Sequence, residues 1–161
     1  MESRLEAKII TVSDSVVNGQ REDGSGDALE GYLVANDWNV IERSAVADGV
    51  EVVANELRRM AEGFHGLVVT TGGTGFGPRD DTPEATRIVI DREAPGLAEA
   101  MRLVNPLGRL SRAVAGAYST ALILNTPGSC NGCVETLAAV IDVLEHAVKL
   151  LVDNSHPHPT D

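Results

Sequence analysis

Gly72, Gly73, Thr74 and Gly75 follow directly on the apolar run HGLVVTT at residues 65–71. Glycine carries no side chain, so a turn built from it brings main-chain N–H groups close to a bound anion. Thr74 adds a hydroxyl. The spacing is not G-x-G-x-x-G and holds no lysine, which excludes a dinucleotide fingerprint and an ATPase-type phosphate loop. A tight turn needs glycine for its own reasons, so a purely structural reading stands beside the anion-binding one. Acidic residues lie near. Asp80 and Asp81 follow Arg79, and Asp48 closes a strand-like run at 38–47. Asp81 adjoins a helix start and is read as serving its dipole. Asp80 is expected to face the cleft. Asp48 has two readings, a cap for the helix that begins near Val50 or a site carboxylate, and on sequence alone the cap weighs more. Carboxylates beside an anion cradle repel a phosphate unless they hold Mg²⁺. Carboxylates, Mg²⁺ and polyphosphate suit phosphoryl or nucleotidyl transfer better than hydride transfer.

The elements that must position these groups alternate in type. Residues 8–13, 65–71 and 120–125 are short apolar runs rich in Val, Ile and Thr and predict buried strands. The run 38–47 is interrupted by Glu42 and Arg43 and predicts a less buried strand; 114–117 is a brief one. Residues 15–26 read as a loop, with Ser25 capping a helix over 27–36. Val50, Val53, Leu57 and Met60 mark the inner stripe of a helix over 50–62, ended by Gly63. Thr82 is expected to cap a helix with Pro83 at its first position and Glu84 in its first turn. A short helix over 97–104 and a long one over 135–151 complete the order. Strands alternating with helices predict an α/β fold, a three-layer α/β/α sandwich with a mainly parallel central sheet. One domain over 1–153 and a flexible tail over 154–161 are expected.

Composition bounds the rest. The chain has 161 residues, a size for one domain. Aromatic residues make up only 3%, so the core must come from Val, Leu, Ile and Ala. Thirteen basic against 24 acidic side chains give a net charge of −11, the wrong sign for a nucleic-acid surface. An anionic small substrate stays possible where N–H groups, an arginine or a cation overrule the global field. No basic-then-apolar leader and no 18-residue apolar run are seen, so no membrane span is expected and the cytoplasm is the default compartment. Cys130 and Cys133 form C-x-x-C, a spacing shared by redox and zinc sites. Zinc would need further ligands, such as His156 and His158. Two ordinary thiols are the preferred reading, and His65 and His146 carry no partner signal.

The segment LVVTTGGTGFGPRDDTPEAT, together with TVSDSVVNG, EDGSGDAL, APGLAEAMR, LSRAVAG and LILNTPGS, resembles the molybdopterin-binding domain family in the family's own order over nearly the whole chain. That family includes bacterial molybdopterin adenylyltransferases, the gephyrin G domain and B-type molybdenum-cofactor biosynthesis proteins. The resemblance implies a trimer, molybdopterin and ATP as substrates, Mg²⁺, transfer of AMP to molybdopterin with release of pyrophosphate, and hand-over of the product to a molybdenum insertion enzyme. It implies that Asp48 and Asp80 are catalytic and metal-linked. It implies a binding role for Gly72, Gly73, Thr74 and Gly75, for Ser13 and the stretch 23–26, for Ser111, and for Pro127, Gly128 and Ser129. Thr126 and Cys130 stand where members often carry Leu and Pro, Asp81 where Val is common, and the chain is shorter than the dedicated adenylyltransferases. Two functions follow from the resemblance: the adenylyltransferase, or a non-catalytic molybdopterin-binding or scaffolding protein of the same pathway. A nicotinamide nucleotide-processing protein that shares the fold is a third, disfavoured by the single-domain length.

Overall fold

A computed structural model describes residues 4–152. Its six strands are β1 Glu6–Val12, β2 Asn39–Val46, β3 Gly66–Thr71, β4 Arg92–Glu93, β5 Ala115–Tyr118 and β6 Ala121–Thr126. They form one sheet in the order β2-β1-β3-β6-β5-β4. The four strands β2, β1, β3 and β6 run parallel, and β5 and β4 are antiparallel additions at one edge. The helices are α1 Asp14–Val17, α2 Gly24–Ala35, α3 Val50–Ala61, α4 Thr82–Val89, α5 Pro95–Leu103, α6 Cys130–Ala138 and α7 Ile141–Leu150, with a 3-10 turn at Pro106–Leu110. No helix among the described residues is long and apolar enough to cross a membrane. The expected tail over 154–161 lies outside the described residues.

Alternation along the central strands sorts the core into two layers. Ile9, Leu67, Val69, Leu122 and Leu124 face α2, α6 and α7, where they meet Leu29, Leu33, Leu137 and Leu144. Ile10, Val68 and Ile123 face α3 and α4, against Val53, Leu57, Met60 and Ala85. Each Val, Leu, Ile or Met side chain among these contributes about 1.5–3 kcal/mol on full burial. Strand β3 has every residue buried because it lies inside the sheet with helices on both faces. Strand β2, broken by Glu42 and Arg43, is an edge strand and only partly covered. The three-layer sandwich with a mainly parallel sheet is therefore what forms.

Several local expectations fail for identifiable reasons. Ser25 does not cap α2. Asp23 does, its Oδ1 accepting from the Gly26 N–H at 3.0 Å, while it also takes the Thr11 hydroxyl at 2.8 Å and Arg43 at 2.9 Å. Tertiary partners, not local propensity, chose between two good caps two residues apart. The segment 15–26 is not all loop, since α1 and the start of α2 occupy parts of it. Asp48 does not cap α3, whose N-cap is Gly49 with no side-chain bond. Thr82 is the first residue of α4 rather than its cap, and its hydroxyl donates to the Gly72 carbonyl at 2.9 Å. The long helix over 135–151 is two helices: α6 begins earlier, at Cys130, and the chain breaks at Ala139 and Val140 before α7.

Candidate functional site

The carboxyl ends of the parallel strands share one rim of the sheet. The chain leaves β1 for β2 on one side and returns to β3 on the other, so the sheet's switch point lies between β1 and β3. Ligands of open α/β sheets bind at such a rim. The glycine-rich turn leaves β3 here. Gly72 and Gly73 have φ of +100° and +69°, a left-handed backbone that L side chains rarely adopt. A Cβ on Gly72 would stand 2.3 Å from the Val12 carbonyl oxygen, and one on Gly73 would stand 2.3 Å from the Thr82 hydroxyl. The protein's own packing therefore demands both glycines, and Gly72 lies behind the cleft rather than on its wall.

The cleft has a volume of about 590 Å³, within the usual range for a small-molecule site. Gly73, Thr74 and Gly75 form one wall, with Asp80 and Ser111 beside them. The N–H groups of these three turn residues meet no protein acceptor among the described residues. Pro127, Gly128 and Ser129 form the facing lip, where β6 runs into α6. Ser129 caps α6, its hydroxyl accepting from the Gly132 N–H at 3.0 Å, which aims the positive end of that helix at the cleft. Met101, Leu107 and Leu110 give an apolar far wall. Asn125 closes the floor. It is fully buried, donates to the Thr70 and Thr86 hydroxyls at 3.0 and 2.9 Å and accepts from the Val114 N–H at 3.0 Å.

Asp80 sits in the exposed loop after the glycines. Its Oδ2 accepts from the Gly77 N–H at 2.8 Å. A Cβ on Gly75 would come within 3.0 Å of that oxygen, so the carboxylate lies close against the turn. Ser13 is set one strand away, at the end of β1, and Asp48 two strands away, just beyond the end of β2. They border the cleft without lining it. Asp48 approaches through Gly73, its Oδ1 3.4 Å from a Cβ position there. It is locked to Asp14 reciprocally: the Asp14 N–H donates to Asp48 Oδ2 and the Asp48 N–H donates to Asp14 Oδ1, both at 3.1 Å. Ser13 caps α1, accepting from the Val16 N–H at 3.3 Å. Burial pushes the Asp48 carboxyl above the ordinary range; the Asp14 N–H opposes this, and the charges of Asp14 and Asp80 add to it. Asp14 moves the other way, because the Arg79 guanidinium grips it at 2.7 and 3.1 Å. Asp81 occupies the N-cap position of α4 without a side-chain bond to the helix.

Sequence reasoning missed three charged residues of the site. Arg79 ties Asp14 to the Asp48 carbonyl at 3.1 Å. Arg102 lines the cleft and donates to the Ala113 carbonyl at 2.8 Å. Arg112, next to Ser111, reaches the glycine loop. Isolated arginines, Arg79 and Arg112 in irregular segments and Arg102 in the last turn of α5, have no spacing signal, although an arginine was one of the groups by which so acidic a chain could hold an anion. In the stretch 23–26, Asp23 caps α2 and Ser25 is buried in its first turn. Cys130 is exposed at the first residue of α6 and Cys133 is buried, both as free thiols. Burial pushes the Cys133 thiol up to about 11. His156 and His158 lie outside the described residues.

A family model described as "Probable molybdopterin binding domain" matches residues 8–146. The molybdopterin adenylyltransferase of Helicobacter pylori strain J99 is 37% identical over 153 residues, covering 91% of this chain and 87% of its own. That of Haemophilus influenzae is 37% identical over 150 residues, covering 88% of this chain and 76% of its own. The crystal structure of the molybdopterin biosynthesis enzyme MoaB from Thermus thermophilus superposes with a TM-score of 0.86 at 45% identity, covering 91% of this chain and 96% of that one. With its six-stranded sheet, its glycine turn at the switch-point rim and a match across most of its length, the chain belongs to the molybdopterin-binding domain family.

Proposed function

We propose that this protein transfers AMP from ATP to molybdopterin and releases pyrophosphate. The observation that carries the reading is the wall of N–H groups on Gly73, Thr74 and Gly75 that meet no acceptor among the described residues, with the Asp80 carboxylate beside it. An N–H cradle suits the phosphate of molybdopterin or the α-phosphate of ATP, and the names of the H. pylori and H. influenzae relatives point to the same reaction. The donor set fits Mg²⁺. Asp48 and Asp80 offer hard oxygen ligands on either side of the turn, and no group of three or more acidic, histidine or cysteine side chains among the described residues forms a dedicated cage. That suits an ion which keeps several waters and shares phosphate oxygens with its protein carboxylates. Asp48 and Asp80 are the residues that would hold it. When bound, the ion supplies neutralisation of the negative charge that builds on the phosphates as pyrophosphate departs.

The chain's own groups then have distinct tasks. The turn N–H groups fix the orientation of the phosphate at the reacting centre and stabilise its equatorial oxygens. The α6 N-terminus adds positive potential from the opposite lip. Attack of the terminal phosphate oxygen of molybdopterin on the α-phosphorus forms the new P–O–P link, and the bond to pyrophosphate breaks. Asp80, held by the Gly77 N–H, keeps its carboxylate at the turn through that change. A homotrimer is proposed as the assembly; Leu103, 76% exposed near the cleft's apolar wall, supplies surface of the kind an interface covers. A cytoplasmic location and hand-over to a molybdenum insertion enzyme complete the proposal. The test is incubation with molybdopterin, ATP and Mg²⁺ and assay of pyrophosphate. Molybdopterin binding without pyrophosphate would replace the enzyme by the non-catalytic binding protein.

A further inference from the structure

A residue of a distant segment, Arg112, grips the loop from Thr74 to Asp80 at both ends. The Arg112 N–H donates to the Thr74 carbonyl at 2.8 Å. Its guanidinium donates from Nε to the Gly75 carbonyl at 2.7 Å and from Nη2 to the Asp80 carbonyl at 2.6 Å, and it pairs through Nη1 with the Glu84 carboxylate in the first turn of α4. The Phe76 ring lies against it, 5.8 Å from its centroid to the guanidinium carbon. Residues 76–79 are exposed, so burial does not hold this loop in place. Arg79 reaches out of the loop to Asp14 and the Asp48 carbonyl, but through a long side chain that is itself 63% exposed. Inside the loop the Asp80 N–H donates to the Gly77 carbonyl at 3.0 Å and the Gly77 N–H to Asp80 Oδ2 at 2.8 Å. Just before it, the Thr82 N–H fixes the Gly73 carbonyl at 3.1 Å.

We infer that Arg112 is the positioning residue of the site: by joining both ends of the loop to α4, it sets where the Asp80 carboxylate and the Gly75 peptide stand. Arg112 touches no reacting atom and acts through Asp80. A guanidinium is required because three acceptors lie around it in different directions. A lysine ammonium is a compact donor on a flexible stem and cannot span them. Glu84 holds the guanidinium in register, so Arg112 and Glu84 form one unit with α4 as its base. The role assigned to Arg112 rests on adenylyl transfer being the reaction of this cleft.

The test compares wild type, Arg112→Lys and Arg112→Ala by two readouts. Amide hydrogen exchange at Gly77 reports the Asp80 carboxylate without any need for activity. Steady-state kinetics of pyrophosphate release report its effect on the reaction. Arg112→Lys is expected to exchange at Gly77 at least tenfold faster, with strand β3 amides unchanged. Its kcat is expected to fall at least tenfold with KM for molybdopterin within threefold, because the Gly73 anchor survives. Millimolar guanidinium ion added to Arg112→Ala is expected to restore part of kcat and of Gly77 protection, and ammonium ion neither. Unchanged Gly77 exchange in Arg112→Lys overturns the inference whatever the activity. Faster exchange with kcat within threefold of wild type overturns the positioning role. A wild-type protein that binds molybdopterin but releases no pyrophosphate overturns the reaction instead, and the exchange result alone then judges the loop assignment.

Discussion

Replacing Asp80 by asparagine removes a charge and almost nothing else. Among the described residues its side chain makes one hydrogen bond, accepting from the Gly77 N–H at 2.8 Å. An amide oxygen accepts that bond as well, though a neutral acceptor is worth about half a charged one. The expected loss of stability is therefore no more than about 1 kcal/mol, a fall in Tm of about 2–4 °C for a chain of this length. The loss to the reaction is of another order. In the proposed reaction the Asp80 carboxylate would help hold the Mg²⁺ that neutralises charge developing as pyrophosphate leaves, so its loss is felt in the transition state more than in the bound substrates. One electrostatic group in such a position is worth about 2.7–4 kcal/mol, or a 10²–10³-fold fall in kcat. Molybdopterin affinity should change less than threefold, since the N–H groups of the turn are untouched. Pyrophosphate release, a molybdopterin titration and a melting curve on the same preparation give all three quantities. Asp81→Ala is the control, because a charge at a helix end that makes no side-chain bond is worth about 0.3–1 kcal/mol. A kcat for Asp80→Asn within tenfold of wild type refutes the electrostatic argument. A normal Asp80→Asn beside an inactive Asp81→Ala shows that the two carboxylates were assigned in the wrong order.

Three further outcomes concern groups around the cleft. Asp48 has a carboxyl raised by burial, so the stability it contributes is full below its unfolded pKa of about 3.9 and is lost as pH rises through its higher folded value. Asp48→Asn should therefore melt no lower than wild type at pH 7 while losing activity, with the difference in Tm closing toward pH 3; a gap that widens in acid contradicts this. Asp23→Ala removes the α2 cap, the partner of Thr11 and one partner of Arg43, and should cost roughly 2 kcal/mol, or about 4–8 °C in Tm; a shift under 1 °C in a melting curve would show that these contacts carry no weight. At pH 8, iodoacetamide should label Cys130 and spare Cys133, whose thiol is buried and pushed up to about 11; peptide mass spectrometry that finds equal labelling in the folded protein would refute it.

The sheet was legible because β-branched runs at 65–71 and 120–125 leave no competing period, and Glu42 and Arg43 marked β2 as a less buried strand, which the fold places at the edge. The glycine turn was legible as a site, yet its meaning was divided: Gly72 and Gly73 answer to Val12 and Thr82, whereas the N–H groups that meet no acceptor among the described residues belong to the Gly73–Gly75 wall of the cleft. What stayed hidden depends on partners far apart in the chain. The break between α6 and α7 follows no proline or glycine. The choice of Asp23 over Ser25 depends on Thr11 and Arg43. Asp48 looks like a cap until Asp14 is brought alongside it. Arg112 is one cation in an irregular segment, and only the folded chain lays it across residues 75 and 80.

The polarity of the four parallel strands also governs where this protein tolerates attachment. Every parallel strand delivers its carboxyl end to the rim that holds the cleft, so the opposite rim carries the return turns. Three of these turns use left-handed residues, Asp37, Gly63 and Ser119, at φ of +67°, +63° and +50°. A fluorophore, an affinity handle or a fused domain grafted beside one of them stands a strand's length away from the chemistry, about 20 Å for six residues. Immobilised through that rim, the molecule would present its cleft to solution with the substrate approach unobstructed.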